Sequence, residues 1–449
     1  MTGFTVCYSN PAALSAVGYG RVAHLPFILD SRPGYHRLGS QYLIDRGLGI
    51  WSPNRPSTDG HRQAPTKVSL RNYANWLANF LEWAEHRGVD IRTCTYEEHI
   101  FGRYQQELHK GAWSRDGVGL SASTVNSYVD QACEFLTWLA VKRKREPFAI
   151  PMITVVTGRG SATDARGHRG IKVQVRSGKV RQKKRRLRMP SDEQICDWLK
   201  SIKDREGESR GLMCELVLMS AMRRAEVAAF RIDTLPLCEQ DWHISNPSAQ
   251  ESDQLVRITI KFGTKGRSYG MDNGDKIGPE RDIEIPLHFA RRLHSYREQI
   301  RPAAISVWVK QVRGAAAQRE RLDGCVHLFR DQNTGARIES WQFYETWKAG
   351  KQPFKGWSPH SGRDWWACSM LLKEVRLNEN ILTLGKNTPG ILVATIGTDI
   401  IRFKIQSQLG HANASTCFIY LIWVSDMLGI CLPEIYQEHL EKYEKTNTE

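Results

Sequence analysis

The chain has 449 residues with 63 Lys or Arg against 48 Asp or Glu, a formal net charge of +15, and 41% of its residues are hydrophobic. This composition excludes global disorder, and the length is that of two or three domains. No apolar segment is long enough to cross a bilayer, and the N-terminal segment lacks the charged start and apolar stretch of a secretion signal, so we expect a cytoplasmic protein.

Residues 67–148 follow an N-terminal extension, residues 1–66, to which the sequence assigns no role. Two apolar stripes at three- and four-residue steps predict helices, the first ending at Gly88 and the second beginning after Ser123 as its N-cap. The stripes consist of Leu70, Tyr73, Leu77, Phe80, Leu81 and Ala84, and of Val125, Tyr128, Val129, Ala132, Phe135, Leu136 and Leu139. With a weaker helical segment between them, at 97–109, they predict a small helical bundle over residues 67–148.

Residues 142–190, which we call the basic strap, carry sixteen Lys or Arg against two acids and hold almost all of the excess charge. Five interspersed glycines favour a flexible connector over a packed element, and residues 149–190 are the predicted linker between two domains. Such a run can also be a solvated linker without a partner. Its clustering favours contact with a polyanion, where released counterions drive binding, so we expect DNA or RNA as the partner.

Residues 191–449 form the predicted second domain. Ser191 and Gln194 have the spacing of a capping box that opens a helix, and a further helical stretch follows over residues 211–231. Two alternating, β-branched segments, LVRITIKF and RDIEIPL, flank a loop rich in Gly and Asp and predict a hairpin. Beyond Leu287 the chain is predicted to be mostly helical. The expected fold class is mainly α with a small β-hairpin or sheet.

Three short motifs occur in order in the second domain. They are Arg223-x-x-Glu226, His360-x-x-Arg363, and Leu409-Gly410-His411 with Tyr420 nine residues after the histidine. An HxxR motif alone is common by chance, whereas all three in this order and spacing are specific. The chain has no GxxxxGK[ST] phosphate loop, HExxH zinc pair or EF-hand loop, and its ten cysteines include no CxxC pair. We therefore expect free thiols and neither a metal nor a nucleotide cofactor.

These motifs resemble those of the tyrosine recombinases, the phage-type integrase family. The resemblance extends from Lys67 to the C-terminus, because the helical bundle is similar to the family's core-binding domain, including Thr124-Val125-Asn126 in its last helix. It implies a core-binding domain followed by a tyrosine-recombinase-like catalytic domain. The activity implied is site-specific DNA recombination or integration, as on mobile genetic elements.

Phosphodiester chemistry gives the two motif arginines a role. A planar guanidinium donates two hydrogen bonds to a phosphate and stabilises the charge that develops when the phosphorus is attacked. Arg223 and Arg363 are predicted to form such a clamp, with Glu226 supporting Arg223. A single Arg is usually a surface or salt-bridged residue, but two at these motif positions favour the clamp.

Tyr420 is predicted to attack the phosphorus through its phenolate. A free phenol has a pKa of about 10 and is mostly protonated at neutral pH, so we expect the clamp to lower the pKa of Tyr420 and a base to take its proton. His360 is the predicted base or hydrogen-bonding partner, and His411 is predicted to hold a phosphoryl oxygen. Outside such a motif, a lone His is more often structural and a Tyr among apolar neighbours more often packs a core.

The departing 5′ oxygen needs a proton, which a Lys on a β-hairpin supplies in the family. The resemblance places this role on Lys265, within Gly-Thr-Lys-Gly. Lys261 and Lys276 are rivals, because the hairpin loop is longer than in compact family members.

The resemblance also implies how the reaction would proceed. Tyr420 would form a 3′-phosphotyrosyl link to double-stranded DNA without any cofactor, and four protomers would assemble on two duplexes at the nucleoid. The C-terminal tail would dock on a neighbouring protomer or on its own domain. Residues 376–400 contain extra material between Arg363 and His411, either a partner surface or a tolerated loop.

Two other functions fit the same sequence. A catalytically silent DNA-binding or architectural protein would keep the fold and the strap and would bind DNA without forming a covalent adduct. A topoisomerase-like enzyme would use the same chemistry to relax supercoils without exchanging strands between duplexes.

Overall fold

The computed structural model describes residues 3–53, 64–114, 116–157, 171–182, 186–266, 269–378, 383, 390–411 and 417–428. The chain forms two compact units, Met1–Lys184 and Arg185–Glu449. Helices dominate the described residues and the sheets are small and antiparallel, which confirms the predicted fold class. No helix in these ranges combines the length and apolar character needed to span a membrane. The cysteines in these ranges are free thiols.

The first unit packs helices around one apolar core and adds two two-stranded antiparallel sheets. Its elements are β1 (Thr5–Tyr8), α1 (Pro11–Ala16), β2 (Pro26–Leu29), α2 (Arg37–Gly47), α3 (Lys67–His86), a π-helical segment (Tyr96–Tyr104), α4 (Gln105–Lys110), α5 (Ala122–Val141), β3 (Met152–Thr157) and β4 (Ile171–Arg176).

The long helices α3 and α5 follow the two predicted apolar stripes. Thr66 caps α3 by accepting a hydrogen bond from the Ser69 N–H at 3.2 Å, and the helix ends just before Gly88. The cap of α5 is Ser121, whose Oγ accepts from the Thr124 N–H at 3.3 Å. The predicted cap at Ser123 is therefore wrong, because that residue already lies inside the first helical turn.

Residues 3–53 of the N-terminal extension complete the core of the first unit. Tyr42 on α2 is fully buried and accepts a hydrogen bond from Gln131 on α5 at 2.7 Å. Asp45, one turn further along α2, accepts from the Trp138 indole N–H at 3.0 Å. The extension thus has a structural role in the bundle that its sequence did not indicate.

Part of the basic strap is packed against the first unit. Strands β3 and β4 pair in antiparallel fashion along their whole length. Arg176, at the end of β4, is 5% exposed and donates to Tyr96 Oη at 2.8 Å, Gln105 Oε1 at 2.9 Å and Asp130 Oδ1 at 3.0 Å. The prediction of an unpacked connector is wrong for these strands, because the acceptors that hold Arg176 are distant in sequence. Strap residues 158–170 and 183–185 lie outside the described residues.

The second unit begins at the predicted capping box, in which the Ser191 and Gln194 side chains each accept the other residue's backbone N–H. Its elements are α6 (Asp192–Glu206), α7 (Glu208–Ser220), α8 (Arg224–Ala228), β5 (His243–Ile244), β6 (Leu255–Phe262), β7 (Gly270–Asp272), β8 (Asp275–Pro286), α9 (Leu287–Ser295), a π-helical segment (Tyr296–Ile300), α10 (Arg301–Lys310), α11 (Ala315–Asp323), α12 (Ser340–Ala349), α13 (Pro359–Arg376), α14 (Gly390–Ile400), a second π-helical segment (Ile401–Ile405), α15 (Gln406–Leu409) and α16 (Phe418–Met427).

The predicted hairpin forms the centre of a four-stranded antiparallel sheet with the order β5-β6-β8-β7. Leu255 on β6 lies opposite Pro286 on β8, and the register is irregular between Ile260 and Phe262. Strand β8 begins at Asp275, earlier than predicted, because the additional short strand β7 pairs with its first residues. The alternating apolar side chains of β6 and β8 face the main core of the second unit.

A smaller core joins the helices that carry the last two motifs. Buried side chains of α13, α14, α15 and α16 pack together in it, among them Leu371, Val393, Leu409 and Tyr420. Val393 belongs to the segment 376–400, so part of this insertion is packed structure. Within that segment, residues 379–382 and 384–389 lie outside the described residues, as does the tail beyond residue 428.

Candidate active site

The first motif lies at a sharp break between two helices. α7 ends where Ala221 adopts a left-handed conformation with φ +54°, which a residue with a Cβ rarely takes. The Ser220 hydroxyl accepts the Met222 N–H at 3.2 Å. Arg223 then serves as N-cap of α8, where its backbone N–H donates to Glu226 Oε2 at 2.7 Å.

The second motif opens α13. Ser358 caps this helix by accepting the Ser361 N–H at 3.3 Å, and Pro359 occupies its first turn, where a missing N–H costs nothing. His360 is exposed on the same turn, and Arg363 is 3% exposed. One helix start therefore presents both side chains of the motif.

Arg223 and Arg363 converge on one carbonyl oxygen. Nη2 of Arg223 donates to the Leu409 carbonyl at 3.0 Å, and Nη2 of Arg363 donates to the same oxygen at 2.9 Å. Arg223 also donates to the Gly410 carbonyl at 2.8 Å, and Arg363 donates to the Ala221 carbonyl. The structure thus brings together the two guanidinium groups that the motifs single out, although they lie 140 positions apart.

A third arginine, which the sequence did not indicate, lies in the same cluster. Arg281 on β8 donates to Glu226 Oε2 at 2.7 Å and to the Gln408 carbonyl at 3.3 Å. Glu226 is 1% exposed and also accepts from Nη1 of Arg223 at 2.8 Å. Glu226 therefore holds two guanidinium groups in place, the supporting position predicted for it.

The cluster has more positive than negative charge. Burial, and next the charge of Arg223, lower the pKa of Arg363 to about 10, and burial lowers the pKa of Arg281 as well. The Nε–H of Arg281 is buried without a hydrogen-bond acceptor among the described residues. Concentrated guanidinium groups of this kind suit an anion with several oxygens, such as a phosphodiester.

His411 follows a glycine that the site requires. Gly410 ends α15 with φ +60°, and a Cβ there would lie 2.9 Å from the Arg281 side chain and 3.3 Å from Nη1 of Arg223. Nδ1 of His411 is 3.3 Å from the Cys417 Sγ. Burial, and then the charges of Arg363 and Arg223, lower the pKa of His411 to about 4, so the imidazole is neutral at neutral pH. His360, the other predicted histidine, lies three residues before Arg363 in the first turn of α13.

Tyr420 lies on α16, beside the arginine cluster. It is 3% exposed, and its hydroxyl donates to Asp364 Oδ1 at 3.0 Å. Asp364 directly follows Arg363 on α13. Burial, and then the Asp364 charge, raise the pKa of Tyr420, whereas the Arg363 charge opposes them weakly. The Arg363 charge therefore lowers this pKa as expected of the clamp, but desolvation and the neighbouring carboxylate outweigh it, so the net shift is upward.

Lys265 is exposed in the turn that follows β6. Gly263, two residues earlier, has φ +72° and lies against the Ala225 backbone of α8, so the turn begins beside the helix that Arg223 caps. No hydrogen bond among the described residues joins Lys265 to the arginines. Of its rivals, Lys276 donates to the Gly266 carbonyl at 2.6 Å and Lys261 pairs with Glu280 at 3.2 Å. The role of Lys265 stays a prediction.

Besides Arg281, three residues at the site escaped the sequence analysis: Asp364, Gln408 and Cys417. Each lies within three residues of a motif residue, since Asp364 follows Arg363, Gln408 precedes Leu409, and Cys417 stands three residues before Tyr420. Adjacency is therefore a signal that could have identified them. Arg281 has no such signal, because only the folded sheet brings β8 to the motifs.

No protein-family model matches the chain, and no curated protein matches it. Among solved structures, it is similar to XerH site-specific recombinase bound to its difH substrate, with 15% identity over 80% of this chain and 78% of that one and a TM-score of 0.43. It is similar to the Tn1549 transposon integrase in complex with circular intermediate DNA, with 13% identity, coverage of 86% and 94%, and a TM-score of 0.44. For XerA recombinase the values are 14% identity, 89% and 98% coverage, and a TM-score of 0.31. Because these TM-scores lie below 0.5, any function for this chain has to be inferred from the residues of the site.

Proposed function

We propose that this protein is a site-specific DNA recombinase or integrase that breaks and rejoins double-stranded DNA through a 3′-phosphotyrosyl intermediate. The observation that carries the proposal is the convergence of Arg223 and Arg363 on one oxygen atom. The Tyr420 hydroxyl is hydrogen-bonded to Asp364, the residue that follows Arg363. A phosphate oxygen in place of the Leu409 carbonyl would accept from both guanidinium groups at once.

The reaction follows from the charges at this position. Arg223 and Arg363 stabilise the additional negative charge that develops on the phosphoryl oxygens as Tyr420 attacks. Neutral His411 donates a further hydrogen bond to a phosphoryl oxygen. His360, which is exposed at the start of α13, contacts the bound DNA. The bond between phosphorus and the 5′ oxygen breaks as the Tyr420 oxygen binds phosphorus, and Lys265 protonates the departing 5′ oxygen.

Rejoining reverses these steps. A 5′ hydroxyl from a second duplex attacks the phosphotyrosyl link and releases Tyr420, so the number of phosphodiester bonds is conserved. This balance needs no metal ion and no nucleotide. Exchange between two duplexes needs an active site at each of four strands, so we propose a homotetramer on two DNA duplexes. Action on DNA would place the protein at the nucleoid.

The test is a search for a covalent adduct. Full-length protein is incubated with a pool of nicked duplexes of randomised sequence, denatured in detergent, and the DNA that stays attached to protein is recovered and sequenced. Wild type should capture an enriched sequence, and Tyr420→Phe, which lacks only the hydroxyl, should capture none above background.

Three other outcomes would contradict the proposal. Salt-sensitive DNA binding without any adduct from wild type would identify a catalytically silent binding protein. Equal capture by Tyr420→Phe would exclude this nucleophile. Relaxation of a supercoiled plasmid carrying the captured sequence, without any product joining two DNA molecules, would identify a topoisomerase-like enzyme.

A further inference from the structure

The hydroxyl of Tyr420 and the carboxylate of Asp364 form a buried pair next to the arginine cluster. Each residue is 3% exposed, and the hydroxyl donates to Asp364 Oδ1 at 3.0 Å. Asp364 lies on α13 directly after Arg363, so a single helix positions one half of the clamp and the group bonded to the nucleophile. The distance is within the range expected between a nucleophile and its base.

This pair matters because the phenol keeps its proton in the resting protein. Burial and the Asp364 charge both raise the pKa of Tyr420, so the phenolate is scarce at neutral pH. The proton must then leave while the oxygen attacks, and a base within hydrogen-bonding distance of the hydroxyl can take it directly. Asp364 is at that distance, whereas Nδ1 of His411 is directed at the Cys417 thiol, 3.3 Å away.

We propose that Asp364 is the proton acceptor for Tyr420 in strand cleavage and returns the proton in rejoining, an inference that rests on the proposed function. In cleavage the O–H bond of Tyr420 breaks, its proton passes to Asp364 Oδ1, and its oxygen binds phosphorus as the 5′ oxygen leaves. In rejoining, the protonated Asp364 gives the proton back to the departing phenolate. An aspartate accepts a hydroxyl proton in the same way in protein kinases.

The decisive variant is Asp364→Asn, which keeps the size of the side chain and an oxygen that can accept the hydrogen bond but cannot take up a proton. The substrate is the DNA that wild type captures covalently in the experiment above, and the readout is the rate of adduct formation across pH. Asp426→Asn is the matched control, because it makes the same change at an exposed position on the Tyr420 helix.

At neutral pH we expect Asp364→Asn to form the adduct about 100-fold or more slowly than wild type, the usual contribution of a general base. Its rate should rise about tenfold per pH unit on the alkaline side, as hydroxide generates the phenolate that Asp364 no longer assists. Wild type should show no such alkaline rise. Asp426→Asn should behave like wild type.

Two comparisons keep this inference separate from the proposed function. If wild type forms no adduct, the recombinase proposal fails. If wild type forms the adduct and Asp364→Asn matches its rate and pH profile, or exceeds its rate, Asp364 is not the proton acceptor although the recombinase proposal stands. DNA binding and circular dichroism establish that the variant is folded.

A second measurement needs no variant. Wild-type adduct formation should be slower in D2O than in water, since a proton is transferred in the same step as the attack. Equal rates in the two solvents would contradict the inference even if Asp364→Asn failed to fold.

Discussion

Among the single residues, His411 illustrates how the arginine cluster sets the state of a neighbour. Burial and the charges of Arg363 and Arg223 hold its pKa at about 4. A neutral imidazole keeps one ring N–H, which can donate one hydrogen bond to a phosphate oxygen. The proposed role of His411 as a neutral donor therefore follows from its surroundings.

The low pKa of His411 predicts a pH dependence of stability. The pKa of His411 is near 6.5 in the unfolded chain and about 4 in the folded chain. Between these values the unfolded chain binds more protons, so the free energy of unfolding decreases as pH falls through this window. Above the window His411 does not change the free energy of unfolding. His411→Gln should therefore show a shallower decrease between pH 6.5 and pH 4 than wild type in urea unfolding. His109→Gln, at an exposed position, serves as the control, and equal slopes for wild type and His411→Gln would refute the prediction.

Among the elements, the short helix α15 is the part that holds the clamp together. The Gln408 side chain donates to the carbonyls of Glu284 on β8 at 2.8 Å and of Ser220 at the end of α7 at 2.9 Å, and it accepts the Glu284 N–H at 2.9 Å. Among the described residues, no strand pairs with this edge of β8 at Glu284, so its backbone groups are open to these bonds. They position the Leu409 carbonyl between the two guanidinium groups.

Gln408→Ala should loosen this arrangement. Its three backbone partners would lose their buried hydrogen bonds, so we expect the free energy of unfolding of the second unit to decrease by about 1–3 kcal/mol. Hydrogen exchange should be faster at the Glu284 amide, and adduct formation slower. Ser407→Ala alters an exposed neighbour on the same helix and should have none of these effects. Unchanged exchange at Glu284 in Gln408→Ala would contradict the assignment.

At the scale of the whole molecule, the excess of positive charge lies mostly in the basic strap. Some cations of the strap are paired with an acidic residue of the same unit, whereas others are exposed. Arg176 and Lys179 both pair with Asp130, at 3.0 Å and 2.8 Å, and hold the strap to its own unit. Arg181 and Arg186 are exposed. Only cations without an internal partner add fully to counterion release when DNA binds, so the exposed pair is the better candidate for phosphate contact.

The double variant Arg181→Ala/Arg186→Ala tests this division. Each lost phosphate contact should reduce the slope of log affinity against log salt concentration by about 0.9, so the pair should reduce it by about 1.8. Fluorescence anisotropy on duplex DNA over a salt series measures the slope. Arg181→Lys/Arg186→Lys keeps both charges and should restore it, and an unchanged slope in the alanine variant would place the contacts elsewhere.

Local sequence patterns were sufficient for many elements of this protein. Apolar stripes at helical spacing predicted α3 and α5, the capping box predicted the start of α6, and alternation predicted β6 and β8, because each depends on neighbours within a few residues. The spacing of the three motifs also selected Arg223 and Arg363, which the fold brings to one oxygen atom. These features depend on residue type and short-range geometry.

Only the tertiary structure decided which distant groups meet. The contact of Arg281 with Glu226, the bond between Tyr420 and Asp364, and the packing of Arg176 all join residues more than 40 positions apart. Periodicity indicates which face of an element is apolar, but it does not specify the partner opposite that face. The same limit explains why the pKa of Tyr420 is raised when its motif suggested the opposite: a pKa depends on burial and neighbouring charge, and both arise only when the chain is packed.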